Sequence, residues 1–281
     1  GYIMPLLDEN LRQDAFKKAE NDSEFTRGLG YGLGRNFPSI PADFKARIFE
    51  LVEKDREFAK GLGYGIGFQF ESFTPEFKAR LFELAEKNSE FSYGLGIFFG
   101  FAFSYLSKQM QDQMLGVAER HSEFAYGMGM GIGYLFVYLT PELQGEILQK
   151  AGKNAKLTYG IGSGFAFSFK NSPPEVQDDI LARIEKNSEL TYGLGYGLGY
   201  VFPYLSGEQR ERSFQKAGTN PQFAKGFGMG IGRIFAYLDR FHDEIFDRAR
   251  ANPHFAKGLG SGLGYVFTYF PPGLREKITA R

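Results

Sequence analysis

The sequence predicts an all-α fold, an open α-solenoid of about eight 33-residue helical hairpins with glycine-rich inner helices, and three observations lead to it. First, a stretch like residues 193–205, GLGYGLGYVFPYL, recurs eight times, beginning at Gly28, Gly61, Gly94, Gly127, Gly160, Gly193, Gly226 and Gly258. The spacing is 33 residues six times and 32 once, the mark of a tandem array whose units contact only their neighbours. Second, large apolar residues recur every fourth position through each copy, which is a helical period. Third, a polar segment with helix start signals joins each copy to the next.

The glycine stretch needs the closest reading, because Gly alternates with larger residues, as in Gly61, Gly63, Gly65 and Gly67, and alternation also suits a strand. A strand would place all the larger residues on one face, where they should resemble one another; they fall into two classes instead. Leu190, Leu194, Leu198 and Phe202 are apolar in every copy, and the last is Phe in all eight, from Phe37 to Phe267. The interleaved Tyr192, Tyr196 and Tyr200 correspond to Arg27, Tyr31 and Arg35 in the first copy and to Lys225, Met229 and Arg233 in the seventh. At about 100° per residue the apolar four form one stripe, the glycines flank it, and the variable set lies opposite. Four glycines in a helix cost ~1 kcal/mol each relative to Ala, so packing must offset ~4 kcal/mol per repeat. Bare flanks that let neighbouring glycine helices approach closer than the usual ~8–10 Å supply that packing.

The joining segment reads as a second helix. Thr74-Pro75-Glu76 and Thr140-Pro141-Glu142 are N-terminal signals: a capping hydroxyl, Pro in the first turn, then an acid. Phe44, Ile48, Phe49, Leu51 and Val52 make an apolar face, with Lys45, Arg47, Glu50 and Glu53 toward solvent. Asn88, Asn154, Asn187, Asn220 and Asn252 close these helices, and Pro221 and Pro253 show that the same Asn opens the glycine helix. Each repeat is thus a helical hairpin, and residues 1–281 are expected to form a single continuous array. Residues 1–7, GYIMPLL, align with 199–205, so the expected array starts inside a repeat and is an excerpt of a longer one.

The 281 residues carry 33 basic and 33 acidic side chains and no Cys, which excludes disulfides and Cys-based metal or redox sites but sets no compartment. The period suits tetratricopeptide arrays, yet their Trp, Gly, Tyr and Pro signature is absent, as is the Thr-Pro-Leu-His of ankyrin repeats. Glycines at even offsets do not form a G-x-G-x-x-G nucleotide loop. His121, His242 and His254 stand near turns without a repeated acidic or Ser partner and read as ordinary surface or capping residues; Asp178 and Asp179 read as a solvated face. No enzyme activity, cofactor or metal is expected. Residues 124–141 and 190–207 are uncharged over 18 positions, but charges such as Arg35, Lys60 and Arg233 interrupt equivalent stretches, which argues against membrane insertion.

The strongest functional signal is the face opposite the apolar stripe. It holds thirteen aromatic residues, and seven cations, Arg27, Arg35, Lys60, Lys170, Lys225, Arg233 and Lys257, against the single acid Glu71. The cations gather toward the two ends and the aromatics toward the middle. The residues expected to bind a partner are Tyr64, Tyr93, Tyr126, Met130, Tyr134, Tyr159, Tyr192, Tyr196 and Tyr200, with Arg27, Lys60, Lys225, Arg233 and Lys257. An elongated peptide or protein segment suits this composition, since Tyr supplies contact area at low entropic cost. Single-stranded nucleic acid ranks second: Tyr would stack bases and the cations meet phosphate, but phosphate recurs at every nucleotide and charge is scarce in the middle. A third reading is a structural array that self-associates through the same face, and a fourth is that the aromatics simply pack on one another.

Overall fold

The computed structural model describes residues 9–19, 22–169 and 171–280; the opening segment at residues 1–7 and Lys170 lie outside them. All regular structure among the described residues is helical, with no strand, and successive helices pack on their neighbours in sequence. The chain divides into two compact units, residues 1–132 and 133–281.

In the first unit the helices are α1 (Glu9–Ala19), α2 (Ser23–Arg35), α3 (Ala42–Lys54), α4 (Arg56–Gly67), α5 (Pro75–Lys87), α6 (Ser89–Ala102) and α7 (Lys108–Arg120), and the division falls within α8 (Ser122–Leu135). The second continues with α9 (Pro141–Ala151), α10 (Ala155–Phe169), α11 (Pro174–Ile184), α12 (Ser188–Tyr200), α13 (Gly207–Thr219), α14 (Pro221–Arg233), α15 (His242–Ala251), α16 (Pro253–Val266) and α17 (Pro272–Thr279). From α2 to α16 the even-numbered helices hold the glycine stretches, and α3 to α17 alternate with them as the polar helices.

At Asn88, Asn220 and Asn252 a single asparagine joins the two kinds of helix; Asp55 and His121 hold the same place in their repeats, while Asn154 and Asn187 open α10 and α12 but do not close α9 and α11, which end at Ala151 and Ile184. Asn88 ends α5, and its side-chain oxygen accepts the Phe91 N–H at 2.9 Å to start α6. Its amide nitrogen donates to the Val52 carbonyl in the last turn of α3 at 2.8 Å, so it also ties one repeat to the preceding one. Asn252 does the same, accepting from Phe255 N–H at 3.0 Å and donating to the Ala217 carbonyl at 2.9 Å. Free helix ends are thereby satisfied on both sides of a one-residue turn.

The glycines alternate between two flanks. In α12, a Cβ built on Gly193 or Gly197 would meet Tyr159 or Ser163 backbone in α10, and one built on Gly195 or Gly199 would meet Phe223 or Phe227 backbone in α14. The same alternation runs through α4, where Gly61 and Gly65 face α2 while Gly63 faces Phe91 of α6. A Cβ on Gly65 would stand 3.1 Å from the Cα of Gly34, so backbones are in direct contact. Each such glycine aims a Cα hydrogen at a neighbouring carbonyl oxygen, a weak hydrogen bond worth ~0.5–1 kcal/mol. In α6 the residue equivalent to a glycine is Phe98, and its ring faces Gly67.

The apolar stripe is interior: Leu190, Leu194, Leu198 and Phe202 are all buried. Its last member is not helical as the four-residue spacing implied. Helix α12 ends at Tyr200, and Phe202 opens a 3₁₀ turn, Phe202–Tyr204; the same turn forms with Glu71, Ser104, Val137, Ala236 or Thr268 in the place of Pro203, so it belongs to the repeat and not to the proline. A side chain eight residues further on secures most of these turns. Gln111, Gln144 and Gln177 are buried and donate to the carbonyls of Phe103, Phe136 and Phe169 at 2.8–2.9 Å. Lys78 and Arg210 stand over the rings of Phe70 and Phe202 at 5.0 and 5.7 Å. In the seventh repeat His242 takes this place: it is buried, lies flat on Phe235 with ring centres 4.1 Å apart, and its Nε2 is 2.9 Å from the Phe235 carbonyl. It is thus an interior residue rather than the surface or capping histidine expected from its position near a turn. The signal that could have found this role is the recurrence of a donor at 78, 111, 144, 177 and 210.

Two glycines with opposite surroundings test this packing. Gly195→Ala places its Cβ 2.9 Å from Phe227 N and nearer still to the Phe223 carbonyl, and should destabilise the chain by ~1–3 kcal/mol despite its better helix propensity. Gly260→Ala in α16 meets nothing within 4 Å and should stabilise by ~0.5–1 kcal/mol. Urea titration of both variants gives the sign of each change.

Candidate partner-binding face

The side chains opposite the apolar stripe are held in place by the glycine contacts. In α12 the carbonyls of Tyr192 and Tyr196 lie against Gly226 and Gly230 of α14, which sets their rings beside the equivalent residues of that helix. The result within each unit is a row of aromatic side chains that pass from one glycine helix to the next.

In the first unit Tyr31 and Tyr64 stack with ring centres 5.5 Å apart, and Phe68 packs edge-on to Tyr64 at 5.6 Å and against Phe98 at 4.7 Å. Tyr93 and Tyr126 stack at 5.5 Å, and the Tyr93 hydroxyl donates to the Met130 sulfur at 3.0 Å. Lys60 sits 4.7 Å above the Tyr93 ring. Beside this row opens a cavity of about 520 Å³, lined by Tyr31, Tyr64, Ile97 and Phe101, with Arg27 and Lys60 also on its wall. Burial pushes the Tyr64 phenol above its ordinary pKa; the Tyr31 phenol adds to the effect and the Arg35 charge opposes it.

In the second unit Tyr159 contacts Tyr192 and Tyr196, each at 5.6 Å, and Tyr196 stacks on Tyr200 at 6.4 Å. The Tyr192 hydroxyl donates to the Met229 sulfur at 2.7 Å, repeating the Tyr93–Met130 pair. Lys225 lies over Tyr192 at 5.7 Å, and the Arg233 guanidinium lies 3.3 Å from the centre of the Tyr265 ring. Tyr134 and Tyr200 are exposed, as is Lys257. Burial raises the phenols of Tyr192 and Tyr196 above their ordinary value, with Arg233 pulling each the other way.

The expected residues therefore come together in two rows, and most are half-buried by their own neighbours. Mutual packing of the aromatics is real, yet it leaves ring edges and a cavity open rather than filling the face. The charges differ more from expectation. Arg27 pairs with Glu57 of α4 at 3.2 Å, and Glu24 lines the same cavity, whereas Lys60 stands over Tyr93 as Lys225 does over Tyr192, and Arg35 lies over Phe68 at 4.4 Å as Arg233 lies over Tyr265. Both acids stand four residues before a first glycine, a position outside the set chosen from sequence; Glu90, Glu123 and Glu189 share it. A second overlooked feature is the tyrosine eleven residues after the first glycine: Tyr105, Tyr138, Tyr204, Tyr237 and Tyr269 are at least 74% exposed on the 3₁₀ turns. Their 33-residue recurrence was visible in the sequence.

Among the described residues no helix is long and apolar enough to cross a membrane. The chain matches no known protein family, no curated protein and no solved structure.

The raised phenols make a signed prediction. Below about pH 10 tyrosine is neutral folded or unfolded; above it the unfolded chain loses protons first, so stability falls as pH rises toward the folded-state pKa. Urea titrations between about pH 9 and 11 should show this decline, and Tyr196→Phe should make it shallower.

Proposed function

We propose that this chain is a non-enzymatic repeat scaffold, a solenoid that holds an elongated peptide or protein segment against the aromatic face of its glycine helices. The observation that carries this reading is the open apolar cavity beside the first unit's tyrosine row, lined by Tyr31, Tyr64, Ile97 and Phe101. Its volume, about 520 Å³, accommodates large side chains. Rings already packed on one another lose little freedom when a ligand covers them, so their contact area converts efficiently into affinity. Adjacent repeats offer equivalent positions 33 residues apart, which suits a partner that is long rather than compact.

Single-stranded nucleic acid fits less well. In the first unit Glu24 and Glu57 stand among the cations that would meet phosphate, and the rings are occupied with each other rather than spaced to receive bases.

A peptide-display selection on the intact chain, and a pull-down repeated after nuclease treatment, test the reading together. Selected peptides should bind with weak salt dependence, and replacing Tyr126, Tyr159 and Tyr192 by Ala should reduce affinity at every salt concentration. Replacing Lys60, Lys225 and Lys257 by Gln should act mainly at low salt. A nucleic-acid ligand would instead show a log–log salt slope of about −0.7 per contacted phosphate, and loss of all bound material after nuclease treatment would reverse the order of the two readings.

A further inference from the structure

The two units place their cations over rings in the same way, but Arg27 of the first has an acid and Arg35 spends a donor on the Tyr31 hydroxyl at 3.2 Å, whereas their counterparts in the second do neither. In the first, Arg27 of α2 meets Glu57 in the first turn of α4. The residue related to Lys225 of α14 in the same way is His254, in the first turn of α16, and α14 itself carries Gln222 where α4 carries Glu57. Lys225, Arg233 and Lys257 accordingly have no acid within ion-pair distance among the described residues. Glu189 of α12 is the acid whose charge reaches this face, through Tyr192.

Arg233 is the most distinctive of the three. Its guanidinium is laid on the Tyr265 ring, and its Nε is shut off from solvent with no hydrogen-bond partner among the described residues. Its two terminal nitrogens also make no hydrogen bond among the described residues and are not shut off, so this planar cation braced on an aromatic face is arranged to grip one planar oxyanion through two parallel hydrogen bonds from them. The hydroxyls of Tyr196, Tyr200 and Tyr265 make no hydrogen bond among the described residues, and Tyr200 and Tyr265 are exposed, so further donors stand near it.

We propose that Arg233 forms a carboxylate-binding subsite that takes an acidic side chain of the peptide held on this face, while Lys225, eight residues or ~12 Å earlier along α14, and Lys257, at the equivalent position of α16, are placed to meet other acids of the same segment. The inference rests on the peptide reading above and adds a chemical class to it: a segment bearing Asp or Glu. A nucleic-acid strand would need its charge met at each nucleotide, whereas Tyr159 in α10 and Tyr192, Tyr196 and Tyr200 in α12 put no cation on the adjoining part of the face.

The test uses the full chain and two fluorescein-labelled peptides, one alternating glutamate with glycine and the other glutamine with glycine, followed by fluorescence anisotropy. The glutamate peptide should bind the more tightly, and R233Q should weaken it about tenfold while leaving the glutamine peptide unchanged. R233K keeps the charge but not the fork, so it should recover only part of the loss. K225Q and K257Q should each give a smaller loss that disappears at high salt. Equal binding of the two peptides, or a glutamate peptide indifferent to R233Q in a variant with wild-type thermal stability, overturns the subsite. Tighter, steeply salt-dependent binding of a short oligothymidylate that R233Q abolishes assigns Arg233 to phosphate and overturns it as well. If display-selected peptides bind but lack acids and ignore Arg233, the subsite fails while the peptide reading stands; if no peptide binds, acidic or neutral, both fail.

Discussion

The structure of each unit depends on the approach of one glycine helix to the next at backbone distance. Every other glycine of α12 or α14 lies against a carbonyl of the preceding helix, and the glycines between them lie against the following one. A methyl group at these positions would stand within 3 Å of backbone, where no rotamer change relieves the clash. The poor helix propensity of glycine is therefore offset by an interface that no other residue permits. Each polar helix from α3 to α15 other than α7 packs against the glycine helix that follows it.

The other recurrent devices follow from that constraint. Where a single residue makes the hairpin junction, Asn88 and Asn252 suit it because the amide accepts from the new helix and donates to the preceding repeat. At the opposite end the glycine helices other than α10 turn through a 3₁₀ segment, and its Phe is buried from Phe37 to Phe235; α10 instead continues to the buried Phe169. The carbonyls freed there need a donor, which Gln111, Gln144, Gln177 or His242 supplies from the following helix. His242 can replace Gln because one ring both stacks on Phe235 and reaches its carbonyl.

The same closeness makes the aromatic rows. Residues opposite the apolar stripe on adjacent helices are brought near enough that Tyr31 meets Tyr64, Tyr93 meets Tyr126, and Tyr159 meets Tyr192. Ring on ring is a stable arrangement that still leaves edges and hydroxyls outward. The charges among the rings follow the same register: Arg35 lies over Phe68 as Arg233 lies over Tyr265, while Arg27 has Glu57 and its counterpart Lys225 lies over Tyr192.

Much of this was determined by the sequence alone. The period, the helical nature of the glycine stretch, the buried stripe from Leu190 to Phe202 and the double role of Asn88 all follow from local rules, because each is set by residues within a few turns of one another. The neighbour that each glycine touches, the pairing of Arg27 with Glu57, the burial of His242 and the half-burial of the tyrosines were decided only by tertiary structure. Most of these join residues about one repeat apart, and a helical period states which face a residue occupies but not what the next helix brings against it. His242 spans only seven residues to the Phe235 carbonyl, but that contact exists only once the turn between two helices has closed.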